Sequence, residues 1–223
     1  TPDTLPWTHL YDAGEGRALG DAGWATLDQA YEGFLSDLDD LREELSARLD
    51  EADAAQLLRH FGTAFPASYR QHIDAASAVE DLQSLRRLAR TELVLNLYRP
   101  RDAAPHRLGF KVYRGSAPVP LSDSLPMLEH MGVRVLSERP YEPMWIHDFE
   151  LEVPGSGEMD VAALAPLFED AFERVFEGRV ENDDFNRLVL KAGVAADEIV
   201  VLRAYAKYLR QIGFPLSQQY IES

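Results

Sequence analysis

LVLNLYRPRDAAPHRLGFKVYRG, residues 93–115, decides the fold. Leu93, Leu95 and Leu97 alternate with Val94, Asn96 and Tyr98, and Leu108, Phe110 and Val112 alternate with Gly109, Lys111 and Tyr113. Successive side chains of an extended chain leave opposite faces, so a period of two predicts two strands. A loop containing Pro100 and Pro105 joins them as a hairpin. Downstream, Ser122, Asp123 and Ser124 offer helix N-caps, Pro126 suits a first turn and Gly132 suits the left-handed position past a helix end, which predicts a helix over Asp123–Met131. Two further strands are expected over Arg134–Tyr141 and Trp145–Val153. A helix follows, capped by Asp160, with Val161, Leu164, Phe168, Ala171, Phe172 and Val175 on one face. Pro166 lies inside that helix and should kink it or delay its start, because proline has no amide to donate, and a kink is expected.

The order is strand, strand, helix, strand, strand, helix. In the usual ferredoxin-like arrangement the last strand lies antiparallel beside the first, and here the strand at 93–98 reaches the same place by a hairpin. The middle of the chain is therefore expected to be a permuted ferredoxin-like sandwich: four antiparallel strands with two helices.

The flanks read as helical. Residues 1–23 are rich in proline and glycine, with Trp7, Leu10 and Tyr11 as docking points. From Trp24 onward Leu27, Tyr31, Phe34, Leu38, Leu41, Leu45 and Leu49 draw one stripe along a long helix. The acids Asp37, Asp39, Asp40, Glu43 and Glu44 form its solvated face. Shorter helices are expected over Ala54–Phe61 and Ser77–Leu88, with Phe65-Pro66 breaking between them. At the other end, Asn182, Asp183 and Asp184 read as caps for a helix containing Phe185, Leu188 and Val189. In the last helix Ile199, Leu202, Tyr205, Ala206, Leu209 and Ile212 read as the packing stripe. Arg203, Lys207 and Arg210 line a different face there, as an electrostatic contact for the acidic N-terminal helices or another domain. The class is α+β in three parts: a mainly helical region over 1–90, the sheet domain over 91–180 and a C-terminal helical segment over 181–223.

Bulk properties narrow the function. With 223 residues and 46% hydrophobic content the chain can build real cores. Its 22 basic against 38 acidic residues leave a net charge of −16, which repels nucleic-acid phosphates and anionic membranes. No apolar run approaches the roughly 20 residues that cross a bilayer, and the start lacks a signal peptide's basic and apolar regions. Cysteine is absent, so disulfides and thiolate metal sites are excluded and the cytoplasm is the plain assignment. Thr1 at the start, and a helix cap at Ser217 just before the end, give the chain the look of an excised piece.

Catalytic parts are not expected. Lys111, Lys191 and Lys207 read as snorkelling or surface residues. Gly14, Gly16 and Gly20 give G-x-G-x-x-x-G with no strand before them, which fails as a dinucleotide turn on spacing and context. His147 and Asp148 are strand neighbours pointing to opposite faces: Trp145, His147, Phe149, Leu151 and Val153 share the core side, Ile146, Asp148, Glu150 and Glu152 the other. They cannot converge on one ion, so His147 is expected to be a half-buried histidine satisfied by a hydrogen bond. The remaining histidines are scattered, and no metal site is assigned.

One further signal is the wording of particular stretches. ENDDFNRLVLKAGVAADEIVVLRAYAKYLRQIGFPLSQQY (181–220), VPLSDSLPMLEHMGVRVLSERPYE (119–142) and MWIHDFELE (144–152) resemble the large, NAD-specific glutamate dehydrogenases of bacteria in a region ahead of their catalytic domain. FPASYRQHIDAASAVEDLQSL (65–85) extends the likeness. The resemblance implies a parent enzyme that oxidatively deaminates L-glutamate with NAD, carrying several ACT-like regulatory units ahead of its catalytic part. It implies that NAD is bound elsewhere in the parent, with no cofactor, catalytic residue or metal in this segment. Expected partners are other domains of the parent chain, a homo-oligomer and an amino-acid effector; nucleic acid and membrane are not expected. In ACT-like domains the effector lies at the turn between the first core strand and its helix. Carried onto this chain, that position gives Arg114, Gly115, Ser116, Ser122 and Asp123, where a guanidinium, a glycine and a helix N-terminus suit a carboxylate. A surface turn explains the same letters. Two rival readings are a free-standing ACT-like amino-acid sensor and a helical protein-interaction module using the Leu27–Leu49 stripe.

Overall fold

The computed structural model describes residues 39–49, 54, 69, 72–88, 90–115, 117–141 and 145–213. The expectations for residues 1–23, for the stripe from Leu27 to Leu38, for most of 54–61, for Phe65-Pro66 and for the cap at Ser217 lie outside the described residues. The chain divides into two compact units, 1–83 and 84–223.

In the first unit residues 39–48 are helical. Leu41 and Leu45 of the expected stripe are buried, while Asp39, Asp40 and Glu43 are exposed, as a solvated acidic face requires. Arg48 pairs with Glu44 at 3.2 Å and with Glu80 at 3.7 Å. The Tyr69 hydroxyl donates to the buried Asp81 carboxylate. Helix α1, Ala75–Leu88, begins earlier than the sequence suggests because Asp74 caps it, its carboxylate accepting from the Ser77 amide at 2.7 Å.

The second unit carries the sheet: β1 (Leu93–Tyr98), β2 (Arg107–Arg114), β3 (Arg134–Tyr141) and β4 (Ile146–Glu152), in the order β1-β2-β4-β3 with every neighbouring pair antiparallel. This is the permuted arrangement. β1 lies beside β2, where a ferredoxin-like fold has its last strand, and β4 lies between β2 and β3. Two helices, α2 (Leu121–His130) and α3 (Val161–Phe176), pack on one face. Phe110 on β2 is the centre of that core. Its ring meets Phe172 edge-on at 4.9 Å, Phe168 edge-on at 5.2 Å and Phe149 at 6.5 Å between centroids.

Helix α2 starts two residues before the expected Asp123. Pro120 holds the N-cap position, and its carbonyl accepts from the amides of both Asp123 and Ser124, so the first turn closes without a side-chain cap. Ser122, Asp123 and Ser124 therefore lie inside the helix. Gly132 ends it at φ +84°, as anticipated. Helix α3 starts at Val161, capped by Asp160, which accepts from the Ala163 amide at 3.2 Å. It continues through Pro166 to Phe176, so the proline does not delay its start.

Both faces of β2 are covered, which simple alternation does not anticipate. On the face away from α2 and α3, Val94, Tyr113, Ile146 and Tyr141 lie in register and are buried. In the next row Lys111 stands opposite Asp148, and both are buried. The Lys111 ammonium lies 5.4 Å from the Tyr98 ring centroid, and the Tyr98 hydroxyl donates to Asp148 at 2.9 Å. Lys111 is thus an interior cation rather than a surface one. Gly109 pairs with Tyr98 across the strands and sits under its ring, where an added Cβ would come within 2.2 Å of the ring. Both sheet edges are blunted. The outward Leu97 amide donates to Glu169 at 2.8 Å, and β3 carries a bulge between Val135 and Ser137 and a proline at 140.

After α3 come a 3-10 turn (Asp184–Arg187), the short α4 (Leu188–Ala192) and α5 (Ala196–Gln211). Asp183 caps the turn through the Phe185 amide at 3.2 Å, and Gly193 ends α4 at φ +63°. The expected packing stripe of α5 is corrected here. Its buried residues are Ala196, Ile199, Arg203 and Ala206, while Leu202, Tyr205 and Ile212 are exposed. Arg203 goes inside because its charge is met. Nε donates to Asp183 at 2.6 Å, and one terminal nitrogen donates to Asp183 at 2.8 Å and Asn186 at 3.0 Å. The Phe185 ring lies 5.8 Å from the guanidinium. Lys207 remains exposed and pairs with Glu181.

Candidate functional site

The expected effector residues fall where β2 runs through a loop into α2. Arg114 is the last residue of β2, and its amide donates to the Trp145 carbonyl at 3.1 Å. Its guanidinium lies 5.4 Å from the Phe176 ring at the end of α3, and one nitrogen reaches the Pro118 carbonyl at 3.4 Å. The group is folded over its own loop. Gly115 has no left-handed φ, and a Cβ there would meet only Leu88, at an ordinary 3.9 Å, so an alanine fits. Ser116 lies outside the described residues. Ser122 and Asp123 are exposed on the first turn of α2, bonded to each other at 3.2 Å. Asp123 already puts a carboxylate at the positive end of that helix, where an anionic ligand would otherwise sit.

What fixes this loop is a histidine. The Val119 amide donates to Nε2 of His147 at 3.0 Å, and Nδ1 of His147 lies 2.8 Å from the Glu138 carboxylate. An amide can only donate, so Nε2 is the acceptor and Nδ1 carries the proton that goes to Glu138. His147 is buried, 4% exposed, beyond the half-burial expected of it, and both ring nitrogens are used. Strand alternation puts His147 on the core side. It cannot supply the partners, because Glu138 is on β3 and Val119 is in the loop. Asp148 points to the other face, toward Tyr98, so the two neighbours do not converge. Among the described residues no group of three or more His, Cys, Asp or Glu side chains is placed to hold a metal ion, and no helix is long and apolar enough to cross a membrane.

Among the described residues, the carboxylate of Glu169 departs from its ordinary proton affinity. Burial pushes the Glu169 carboxyl up, against the opposing pull of the Leu97 amide and of Arg87. Its task is at the sheet edge, holding β1 to α3. The loop brings the Arg114 guanidinium, the Ser122 hydroxyl and the Asp123 carboxylate to the start of α2, with the Val119 amide already taken by His147.

Comparison with known proteins decides the family. The glutamate dehydrogenase ACT3 domain model matches residues 92–164, helical motif 3 matches 180–223 and helical motif 2 matches 44–88. The NAD-specific glutamate dehydrogenase of Halomonas elongata is 43% identical over 190 residues. The chain belongs to the large NAD-specific glutamate dehydrogenase family. That relative is matched by 82% of this chain but over only 12% of its own length. The glutamate dehydrogenases of Pseudomonas aeruginosa and Mycobacterium tuberculosis are each 38% identical, with 83% and 74% of this chain covered and 12% and 11% of theirs. The chain thus spans about one eighth of these relatives. Its sheet domain is the ACT3 part of the family, and the turn, α4 and α5 fall within helical motif 3.

Proposed function

We propose that this chain is a non-catalytic, regulatory and structural segment of an NAD-dependent glutamate dehydrogenase. The whole polypeptide converts L-glutamate, NAD and water to 2-oxoglutarate, ammonia and NADH in amino-acid catabolism, in the cytoplasm and as a homo-oligomer. NAD and the catalytic groups belong to other parts of that polypeptide, and the three parts 1–90, 91–180 and 181–223 act as packing and regulatory modules against them. The observation that carries this reading is the match of the sheet to an ACT3 domain flanked by two helical motifs of the same enzyme family. The test is NADH formation from L-glutamate, followed for the full-length enzyme and for residues 1–223 alone. Activity is expected from the full-length enzyme only; NAD reduction by the 223-residue chain sinks the proposal.

An amino-acid effector at the β2–α2 loop is the regulatory half of the reading. Supporting it are the guanidinium of Arg114, which suits the carboxylate of an amino acid, and the exposed Ser122 and Asp123 at the start of α2, of which Asp123 suits its ammonium group. Millimolar glutamate or aspartate is expected to raise the melting temperature of the full-length enzyme, and Arg114→Ala to abolish the shift. A shift that survives Arg114→Ala places the effector elsewhere.

A further inference from the structure

Helix α5 is apolar on two opposite sides. Ala196, Ile199, Arg203 and Ala206 face inward, toward α3 and the 3-10 turn. Val201, Tyr205, Tyr208 and Ile212 follow at steps of four, three and four, which is the spacing of a helix-packing seam. At about 100° per residue the two stripes are centred on opposite sides of the helix. The outer four are 52%, 64%, 58% and 59% exposed. At the N-terminal end of the outer stripe, Ala192, Gly193, Val194, Glu198, Val201 and Leu202 line an open hollow. Its one charged member, Glu198, is occupied in accepting from the Ala195 amide at 3.0 Å, so the hollow suits an apolar side chain.

We infer that this outer face seats an amphipathic helix from the remainder of the enzyme polypeptide, its apolar stripe lying along Val201, Tyr205, Tyr208 and Ile212. The inference rests on the proposal that the chain works within a longer glutamate dehydrogenase. Area selects the occupant. A fully exposed aromatic side chain offers roughly 200 Å², so the stripe together with Leu202 presents on the order of 500 Å². A stable interface between separate proteins takes about 800 Å² from each partner. The patch alone is too small to hold a second copy. A helix tethered in the same polypeptide needs less, because its effective concentration is already high. Large exposed aromatics on a structured helix are also costly to leave in water, and a partner of matching spacing removes that cost.

The test uses the full-length enzyme with a benzophenone amino acid in place of Tyr205 and, separately, of Tyr208, prepared as a mixture of natural-abundance and nitrogen-15 subunits. Irradiation should join α5 to a peptide outside residues 1–223, with both halves of each cross-linked pair carrying the same isotope. Pairs of mixed isotope mean a second copy covers the face; pairs within residues 1–223 mean the chain covers it itself; no cross-link from either position means it stands in water. Each of these three results overturns the inference. Independently, Tyr205→Ser combined with Tyr208→Ser should lower the melting temperature of the full-length enzyme, whereas an unchanged value would contradict docking. An enzyme that still forms NADH from glutamate but yields no cross-link rejects only the docking helix; one that forms none rejects the functional proposal instead.

Discussion

The space between the sheet and its two helices, and the seam between α5 and residues 181–186, are both interiors, but they are built from different chemistry. The first is aromatic at its centre: the Phe110 ring meets Phe168 and Phe172 edge-on. The second closes around a guanidinium, with Arg203 held by Asp183, Asn186 and Glu181 and stacked on Phe185. An apolar core is forgiving in direction and strict in volume. A buried charge is strict in direction, because every hydrogen it carries must find an acceptor or its desolvation goes unmatched.

The largest effect should come from the aromatic interior. Phe110→Ala removes the ring that three others meet and is expected to cost about 3–5 kcal/mol, read as a loss in the urea midpoint of the full-length enzyme or of any folded portion containing the sheet. Breaking the ionic seam should come next. Arg203→Ala leaves Asp183 and Asn186 facing a gap and is expected to cost about 3 kcal/mol. Arg203→Met, which keeps the stem against Phe185, should cost no less if the charge matters; a Met variant as stable as the parent would show that the seam is held by packing alone.

A third variant tests whether the loop before α2 belongs with either interior. His147→Phe keeps a flat ring beside Phe149 and removes the acceptor of the Val119 amide, at an expected cost of about 2 kcal/mol. Faster amide exchange at Val119 is the accompanying signature, and unchanged exchange would mean that the loop is held by something other than the histidine.

The smallest effect concerns Glu169 and has the opposite sign. Its folded-state affinity for a proton exceeds the unfolded one because burial disfavours the carboxylate. The folded chain therefore holds more protons than the unfolded chain as pH rises from the ordinary value of 4.5 toward the raised one, and stability falls across that window. Glu169→Gln retains an oxygen for the Leu97 amide and removes the ionisable group. It is expected to flatten that part of the pH profile and to raise stability near neutrality by about 0.5 kcal/mol, kept small by the partial exposure of the side chain.

Much of the fold was legible because alternation and helical periodicity report faces directly. The strands at 93–98 and 134–141 fall where the pattern puts them, and the hairpin before the first helix reveals the permutation. Local chemistry was less reliable at helix starts. Pro120 opened α2 through its carbonyl while three better-known cap residues stood just downstream. Of the candidate loop, Arg114 stands at the end of β2 and Ser122 and Asp123 in the first turn of α2. The sequence gave no sign that His147 and Glu138, contributed by two other strands, hold the loop in place.

Periodicity, then, was enough to settle which side chains travel together along the strands and the helix of the sheet domain, and with them the order of elements and the expected permuted sheet. Which residues of α5 turn inward, whether Lys111 and Arg203 are surface or interior, and what His147 bonds to were decided only by tertiary structure. The physical reason is the same in each case. A repeat along one chain fixes angles about that chain's own axis, whereas burial and hydrogen bonding depend on acceptors and surfaces contributed by segments far away in sequence.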